Sequence, residues 1–263
     1  MSETKTPPGA GFDALDAYRR MFATAHDGDA AWWYLGTMFV EIPGYLPLPV
    51  IQAETVMIYR TTTLSNDAFR MDWWEIGYMR DLATGEVAQT WTNPITGKTV
   101  PSPQKFEEGP AHFLIQRDGA GLKLELTQPY ARIESVSVEF SEADGRILLE
   151  QTERKVRGFP LPDGSMPSLD SGDVSPARTT LSILSSRADL AKPSAPSSGA
   201  YDFELRTPPA WTGLAGHGGR AITRGAMVKT EMHAPLNPIG WRRLKTIFPE
   251  CFEGDEIRPR WAK

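Results

Sequence analysis

With 263 residues, 40% of them hydrophobic and 23% charged, the chain is long enough to bury a sizeable core in one large domain or at most two small ones. Its formal charge of −5 argues against a nucleic-acid partner, because phosphate neutralisation needs a basic surface. One cysteine, Cys251, excludes an intrachain disulfide and a thiolate cluster for zinc or iron–sulfur, and 22 prolines with 23 glycines argue against an all-helical fold.

Residues 1–10 are polar and rich in Pro and Gly, so a flexible start without a signal-like apolar region is expected. No run reaches the ~18 apolar residues of a membrane helix. A cytoplasmic protein without membrane contact is the resulting expectation, with residues 11–263 as a single domain. Phe12–Phe22 shows helical spacing, with Phe12, Leu15, Tyr18, Met21 and Phe22 on one face and Asp27-Gly28 beyond its end. This predicts a short helix packed over one mouth or the outside of a sheet.

From Ala30 the period changes to two. Trp32, Tyr34, Gly36, Met38 and Val40 share one face, and the apolar character of the opposite face predicts a strand covered on both sides. Pro43–Pro49 cannot continue a ladder and reads as a rim loop. A second strand over Val50–Thr62 sets Glu54, Val56, Ile58 and Arg60 against Thr55, Met57, Tyr59 and Thr61. A third over Ala68–Arg80 sets Met71, Trp73, Glu75 and Gly77 against Asp72, Trp74, Ile76 and Tyr78. Turns at Asn66-Asp67, Asp81–Gly85 and Asn93–Gly97 separate these runs and a return strand over Glu86–Trp91.

Shorter strands are expected at Ala111–Gln116, Leu122–Gln128, Ile133–Phe140 and Arg146–Val156, then a Pro/Gly/Ser-rich excursion over Gly158–Ser175. Thr179–Ala188 reads as a strand or short helix, Tyr201–Leu205 and Ile222–Met232 as strands, Trp211–Gly219 as a glycine loop, and Pro238–Ile247 as a final helix. The fold class that follows is mostly β: a single antiparallel β-barrel or strongly curled sheet with an N-terminal helix and short C-terminal helices.

The chemistry is read largely by elimination. His26, His112, His217 and His233 lack metal-ligand spacing, so no metal is expected, and a site assembled from His112, His233 and a carboxylate is the one arrangement left open. Gly213–Gly219 lacks the Lys-Ser/Thr of a phosphate loop, and no GxSxG elbow occurs. What remains is acid–base chemistry without a cofactor. Glu75 shares a strand face with Trp73, and a carboxyl against an indole in a dry pocket would carry a raised pKa. Arg60 could orient an anion, Tyr78 could donate to an oxyanion, and His112 and Lys229 complete the catalytic candidates. Trp32, Tyr34, Tyr59, Trp73, Trp91 and Asn93 are the candidate substrate-binding walls.

The order WWYxG, GxxxPL, ExxxxxR, ExGYxRDxxTGEV and WxNPxTGxxVP resembles an uncharacterised bacterial family, domain-of-unknown-function family 1838. Its matching positions here include Trp32, Trp33, Tyr34, Gly36, Gly44, Pro47, Glu54, Arg60, Glu75, Gly77, Tyr78, Trp91, Asn93, Pro94 and Gly97. The likeness covers roughly residues 26–116 and is fainter near Trp211 and over Gly225–Lys229, where this chain carries WTGLAGHGG in place of a Trp/Met-rich stretch. It implies a shared fold and pocket and no particular reaction. The expected function is a cofactor-independent lyase, aldehyde-releasing carbon–carbon cleavage included, or an isomerase acting on a hydrophobic, aromatic or phenolic small molecule. A non-catalytic carrier of such ligands is the first alternative, and a structural module whose aromatic strands form a homodimer interface is the second.

Overall fold

The computed structural model describes residues 7–9, 11–230, 232 and 237–261. The expected flexible start at 1–10 and the histidine at 233 fall mostly or wholly outside them. Helix α1 (Ala14–Phe22) begins two residues later than Phe12, because Asp13 caps it, accepting from the Leu15 and Asp16 backbone amides at 3.0 and 3.1 Å. Twelve strands then follow before the C-terminal helix. They are β1 (Gly28–Glu41), β2 (Leu48–Ser65), β3 (Ala68–Arg80), the short β4 (Thr90–Thr92) and β5 (Thr99–Pro101), and β6 (Lys105–Asp118). The second half holds β7 (Gly121–Thr127), β8 (Arg132–Ala143), β9 (Arg146–Gly158), β10 (Val174–Ser186), β11 (Ser198–Leu205) and β12 (Arg220–Thr230). Helix α2 (Pro238–Ile247) and a small hairpin of β13 (Phe252–Glu253) and β14 (Glu256–Ile257) end the fold.

Ten of these strands form one antiparallel sheet in the order β7-β6-β3-β2-β1-β12-β11-β10-β9-β8. Every neighbour is the next long strand of the chain, and β1 pairs with β12 from Ala31↔Thr230 to Glu41↔Arg220, so the meander curls back on itself. The result is a nearly closed barrel, as the spacing of strands and turns predicts. The sheet's two edges, β7 and β8, are consecutive strands joined through a single Gln128↔Ala131 bridge, and they leave a seam down one side. Near-closure leaves little bare edge to recruit another chain.

One mouth carries the two-residue turns 66–67, 119–120 and 144–145 with the longer connection 187–197, and is plugged by α1. The other carries the long connections 42–47, 81–104, 159–173 and 206–219, with β4 and β5 forming a hairpin inside the second. The apolar character of both faces of β1–β3 has two causes. Trp32, Tyr34, Met57 and Trp73 face the barrel interior, whereas Trp33, Ile58, Trp74 and Ile76 form a second core under Trp241 and Leu244 of α2. A buried side chain such as Ile76 contributes about 1.5–3 kcal/mol, so this outer layer is a substantial part of the fold.

Several boundaries differ from the sequence reading. β2 starts at Leu48, because Pro49 sits where the β1–β2 register shifts and its missing N–H costs no ladder bond. β6 runs through Pro110, whose cis bond to Gly109 lies opposite a register shift between Trp73 and Glu75. The return strand over Glu86–Trp91 shrinks to a Val87 bridge to Arg80 and the three residues of β4. Residues 179–186 are strand, part of a β10 that reaches back to Val174.

Candidate functional site

The barrel interior changes character halfway along β9. Ile147 and Leu149 face inward, and the same face continues as Gln151, Glu153, Lys155 and Arg157, all buried. Burying charge is costly without partners, and these side chains have them. Tyr18 of α1 donates to Gln151 Oε1 at 2.7 Å, Gln151 donates to Glu153 Oε1 at 2.8 Å, and Lys155 Nζ reaches Glu153 Oε2 at 2.6 Å. Arg157 Nη2 reaches Glu108 Oε1 of β6 at 2.5 Å, and its guanidinium lies 4.9 Å from the Phe203 ring centroid. A polar chain thus runs from the α1 plug toward the long-loop mouth.

Glu75 and Glu108 are direct cross-strand partners on β3 and β6, and both are buried. Two carboxylates so placed cannot both ionise cheaply. Burial first, and then the Glu108 charge, push Glu75 up to about 8, against the pull of Thr55, Arg157 and Lys155. Burial works against the Arg157 charge, but the facing Glu108 outweighs it and keeps the guanidinium ionised. At neutral pH Glu75 therefore carries a proton, while the facing Glu108 is the ion-pair partner of the buried Arg157.

A cavity of about 50 Å³ opens beside this pair, walled by Tyr34, Phe106, Phe159, Tyr201 and Phe203 and floored by Thr55, Glu75, Glu108 and Arg157. A second hollow of about 30 Å³ lies toward α1, beyond Arg157 and Tyr201, and includes Tyr59, Trp73, Lys155 and Thr179. Two buried hydroxyls along these cavities, Tyr34 Oη in the first and Thr179 Oγ1 in the second, have no hydrogen-bond partner among the described residues, while Thr55 lies against Glu75. Since buried polar groups are nearly always paired, such orphans mark where a polar guest belongs. The Tyr34 ring folds over Gly36, where a Cβ would sit 1.9 Å from Tyr34 Oη.

The sequence-derived candidates separate by face. Glu75, Tyr34, Tyr59, Trp73 and Lys229 point inward, and Trp32 does so too, its Nε1 donating to the Phe22 carbonyl at 2.8 Å to anchor α1. Arg60, Tyr78 and His112 lie on the outer wall, across the sheet from Glu75, because a strand of period two sends even-numbered residues of β2 and β3 outward. There Asp29, Arg60, Asp72 and His112 occupy successive register positions across β1, β2, β3 and β6. Arg60 grips Asp29 at 2.7 and 2.8 Å, and His112 Nδ1 meets Asp72 Oδ1 at 2.6 Å. This is a ladder of alternating acidic and basic side chains, not a pocket. Tyr78 donates to the buried Glu54, which also receives Arg80 at 3.0 Å and Asn237 at 2.5 Å, so the phenol anchors the start of α2.

Lys229 lies at the α1 end, where its amine donates to the carbonyls of Arg20, Ala23 and Ala195. Burial pulls its pKa down to about 7, yet three carbonyls need three N–H groups, which only the ammonium supplies. The position at a helix C-terminus favours the cation further. Trp91 and Asn93 belong to the β4–β5 hairpin over the long-loop mouth. Trp91 stacks edge-on against Trp211 with ring centroids 6.1 Å apart. Asn93 Oδ1 accepts from the Ile95 and Thr96 amides at 2.9 and 3.1 Å, and its Nδ2 donates to the Thr212 carbonyl at 3.1 Å. The WxNPxTG motif is thus turn chemistry.

Sequence reasoning missed Glu108, Glu153, Lys155 and Arg157. The signal was present on β9, where Ile147, Leu149, Gln151, Glu153, Lys155 and Arg157 share one face, but interleaved Thr152 and Arg154 make the strand look wholly solvated. Nothing local marks Glu108, which becomes notable only when β6 pairs with β3.

No family model matches the chain, and no curated protein matches it. Among solved structures it is similar to the crystal structure of the outer membrane enzyme PagL, at 11% identity over 78% of this chain and 99% of that one, with a TM-score of 0.31. No helix among the described residues is long and apolar enough to cross a membrane.

Proposed function

We propose that the barrel interior is a cofactor-independent acid–base site for a small molecule with an apolar face and a carbonyl or hydroxyl group, of the lyase or isomerase kind. One observation carries the reading: a protonated Glu75 stands directly opposite the Arg157-held Glu108 at a cavity where the buried Tyr34 hydroxyl has no partner among the described residues. Carboxyls whose surroundings drive their pKa values apart are suited to separate acid and base roles. In this reading Glu75 delivers a proton to the ligand oxygen, Glu108 accepts one from carbon or hydroxyl, and Tyr34 and Thr55 hold the oxygen in place. Arg60, Tyr78 and His112 take no part, since the sheet stands between them and the ligand.

Size limits the ligand. The cavity beside Glu75 is about 50 Å³, whereas an engineered cavity that takes up benzene is about 150 Å³. As it stands the site accommodates a water or two, so an aromatic guest requires the interior to widen roughly threefold, and the unpaired seam between β7 and β8 is where a barrel of this topology yields most easily. The same close packing favours a second reading, in which the polar chain serves only to set register and shape in a structural module.

A thermal-shift screen of small carbonyl and phenolic compounds, followed by mass spectrometry in heavy water, separates the two. The acid–base reading expects a stabilising compound that the wild type converts or labels with deuterium. Glu75→Gln should keep the binding while cutting that rate about 10²-fold or more. Unchanged turnover in Glu75→Gln, or the absence of any converted compound, would reject the enzymatic reading.

A further inference from the structure

At the long-loop end, the outer wall of β9–β12 carries a groove enclosing about 200 Å³, lined by Arg154, Arg178, Arg206 and Arg220 together with Glu134 and Glu204. Its residues are arranged against electrostatic expectation. Arg154 and Arg178 are direct cross-strand partners on β9 and β10, a like-charge pairing that destabilises a sheet unless something sits between the charges. Arg206 follows the end of β11, its amide bonded to the Pro176 carbonyl at 3.0 Å, and lines the same groove as Arg220 at the start of β12. Four arginines thus converge on one groove of a chain whose formal charge is −5.

The neighbouring carboxylates compensate only in part. Glu204 meets Arg178 at 3.4 Å and Arg220 at 3.2 Å, and Glu41 takes the other side of Arg220 at 2.7 Å. Among the described residues, no carboxylate comes within ion-pair distance of Arg154 or Arg206, and Glu134 pairs with no cation. Four arginines against the two glutamates of the lining and Glu41 beside Arg220 leave a local excess of one positive charge, with Arg154 and Arg206 unpaired by any carboxylate among the described residues.

We propose that this groove binds the dianionic phosphate group of a small phosphorylated ligand. The charge is complementary, since Arg154 and Arg206 have no carboxylate partner among the described residues and a phosphate monoester carries about −2 at neutral pH. The chemistry matches as well, because planar guanidinium forks suit phosphate oxygens better than a point charge does. Glu204 fixes two of the forks from behind. The volume is below the roughly 300–1,000 Å³ of sites for drug-sized molecules, which restricts the ligand to a phosphate with a few attached carbons. This site lies on the opposite side of the sheet from Glu75 and is independent of the reading given for the barrel interior.

The test is calorimetric titration of the full chain with inorganic phosphate and with glycerol phosphate at low ionic strength. Both should bind saturably and more weakly as salt is added. Tighter binding of the ester would place its carbon portion in the groove, and equal binding would assign recognition to the phosphate alone; either supports the site. Arg154→Gln/Arg178→Gln should lower affinity by about tenfold or more, as loss of charge-assisted hydrogen bonds does. Arg206→Gln, which removes a side chain without an ion pair, should weaken binding in a background whose fold is unaltered. Absence of saturable binding, equal affinity in both variants, or binding of nucleic acid that glycerol phosphate does not displace would overturn the proposal.

Discussion

Glu75 and Tyr34 are the two side chains whose surroundings say most about the interior. Glu75 is held up to about 8 by burial and then by Glu108, from an ordinary carboxyl value of 4.5. A folded-state pKa above the unfolded one means that the native state keeps a proton which the unfolded chain releases. Stability from this group is therefore fully present below pH 4.5, declines as pH rises from there, and is lost once pH passes about 8. Glu75→Gln cannot ionise, so its melting temperature should gain on the wild type between pH 5 and 8; parallel pH profiles for the two proteins would contradict this placement of the charge. At Gly36 there is no room beside Tyr34 Oη, so Gly36→Ala must push the phenol out of its place in the cavity wall. The expected cost is about 1–3 kcal/mol, read from the denaturant midpoint, as for other overpacked sites.

Among the elements, α1 and the β4–β5 hairpin are tied down by single side chains. Lys229 holds the last carbonyls of α1, so Lys229→Met should destabilise the protein by about 1–3 kcal/mol and speed amide exchange within Ala14–Phe22 ahead of the rest of the barrel. Asn93→Ala removes three hydrogen bonds that shape the turn and join it to Thr212. A loss of about 1–2 kcal/mol is expected in unfolding experiments, with the pH profile due to Glu75 unchanged, since the hairpin does not touch that carboxyl. The faces of β2 and β3 were legible because alternation is strict there, which is why Glu75 with Trp73 and Arg60 with Glu54 sort correctly. The grouping of Arg60, Tyr78 and His112 with Glu75 was not, because a list of polar residues on aromatic strands ignores which side of the sheet each one occupies.

For the molecule as a whole, the seam is the place where the barrel should open. β7 and β8 have polar outward faces and only one ladder neighbour each, whereas β1, β2 and β3 are covered on both faces. Hydrogen exchange followed by mass spectrometry should show β7 and β8 losing protection first among the long strands and β1–β3 last; uniform protection around the ring would mean that the seam is as firm as the ladders.

Composition, proline and glycine placement and a period of two were enough to specify an antiparallel meander with a helix at each end, because those signals are local and each strand carries its own. A barrel with a helix over one mouth was expected from the same signals, but the place of the seam, the mouth that α1 plugs and the opposition of Glu75 to Glu108 came from pairings between residues far apart in the chain. So did the inward turn of Gln151 through Arg157, since an alternating polar strand looks the same whether its second face meets water or a buried partner. Only the curled sheet, by bringing β3, β6 and β9 around one space, decides which charges must find each other and which carboxyl has to keep its proton.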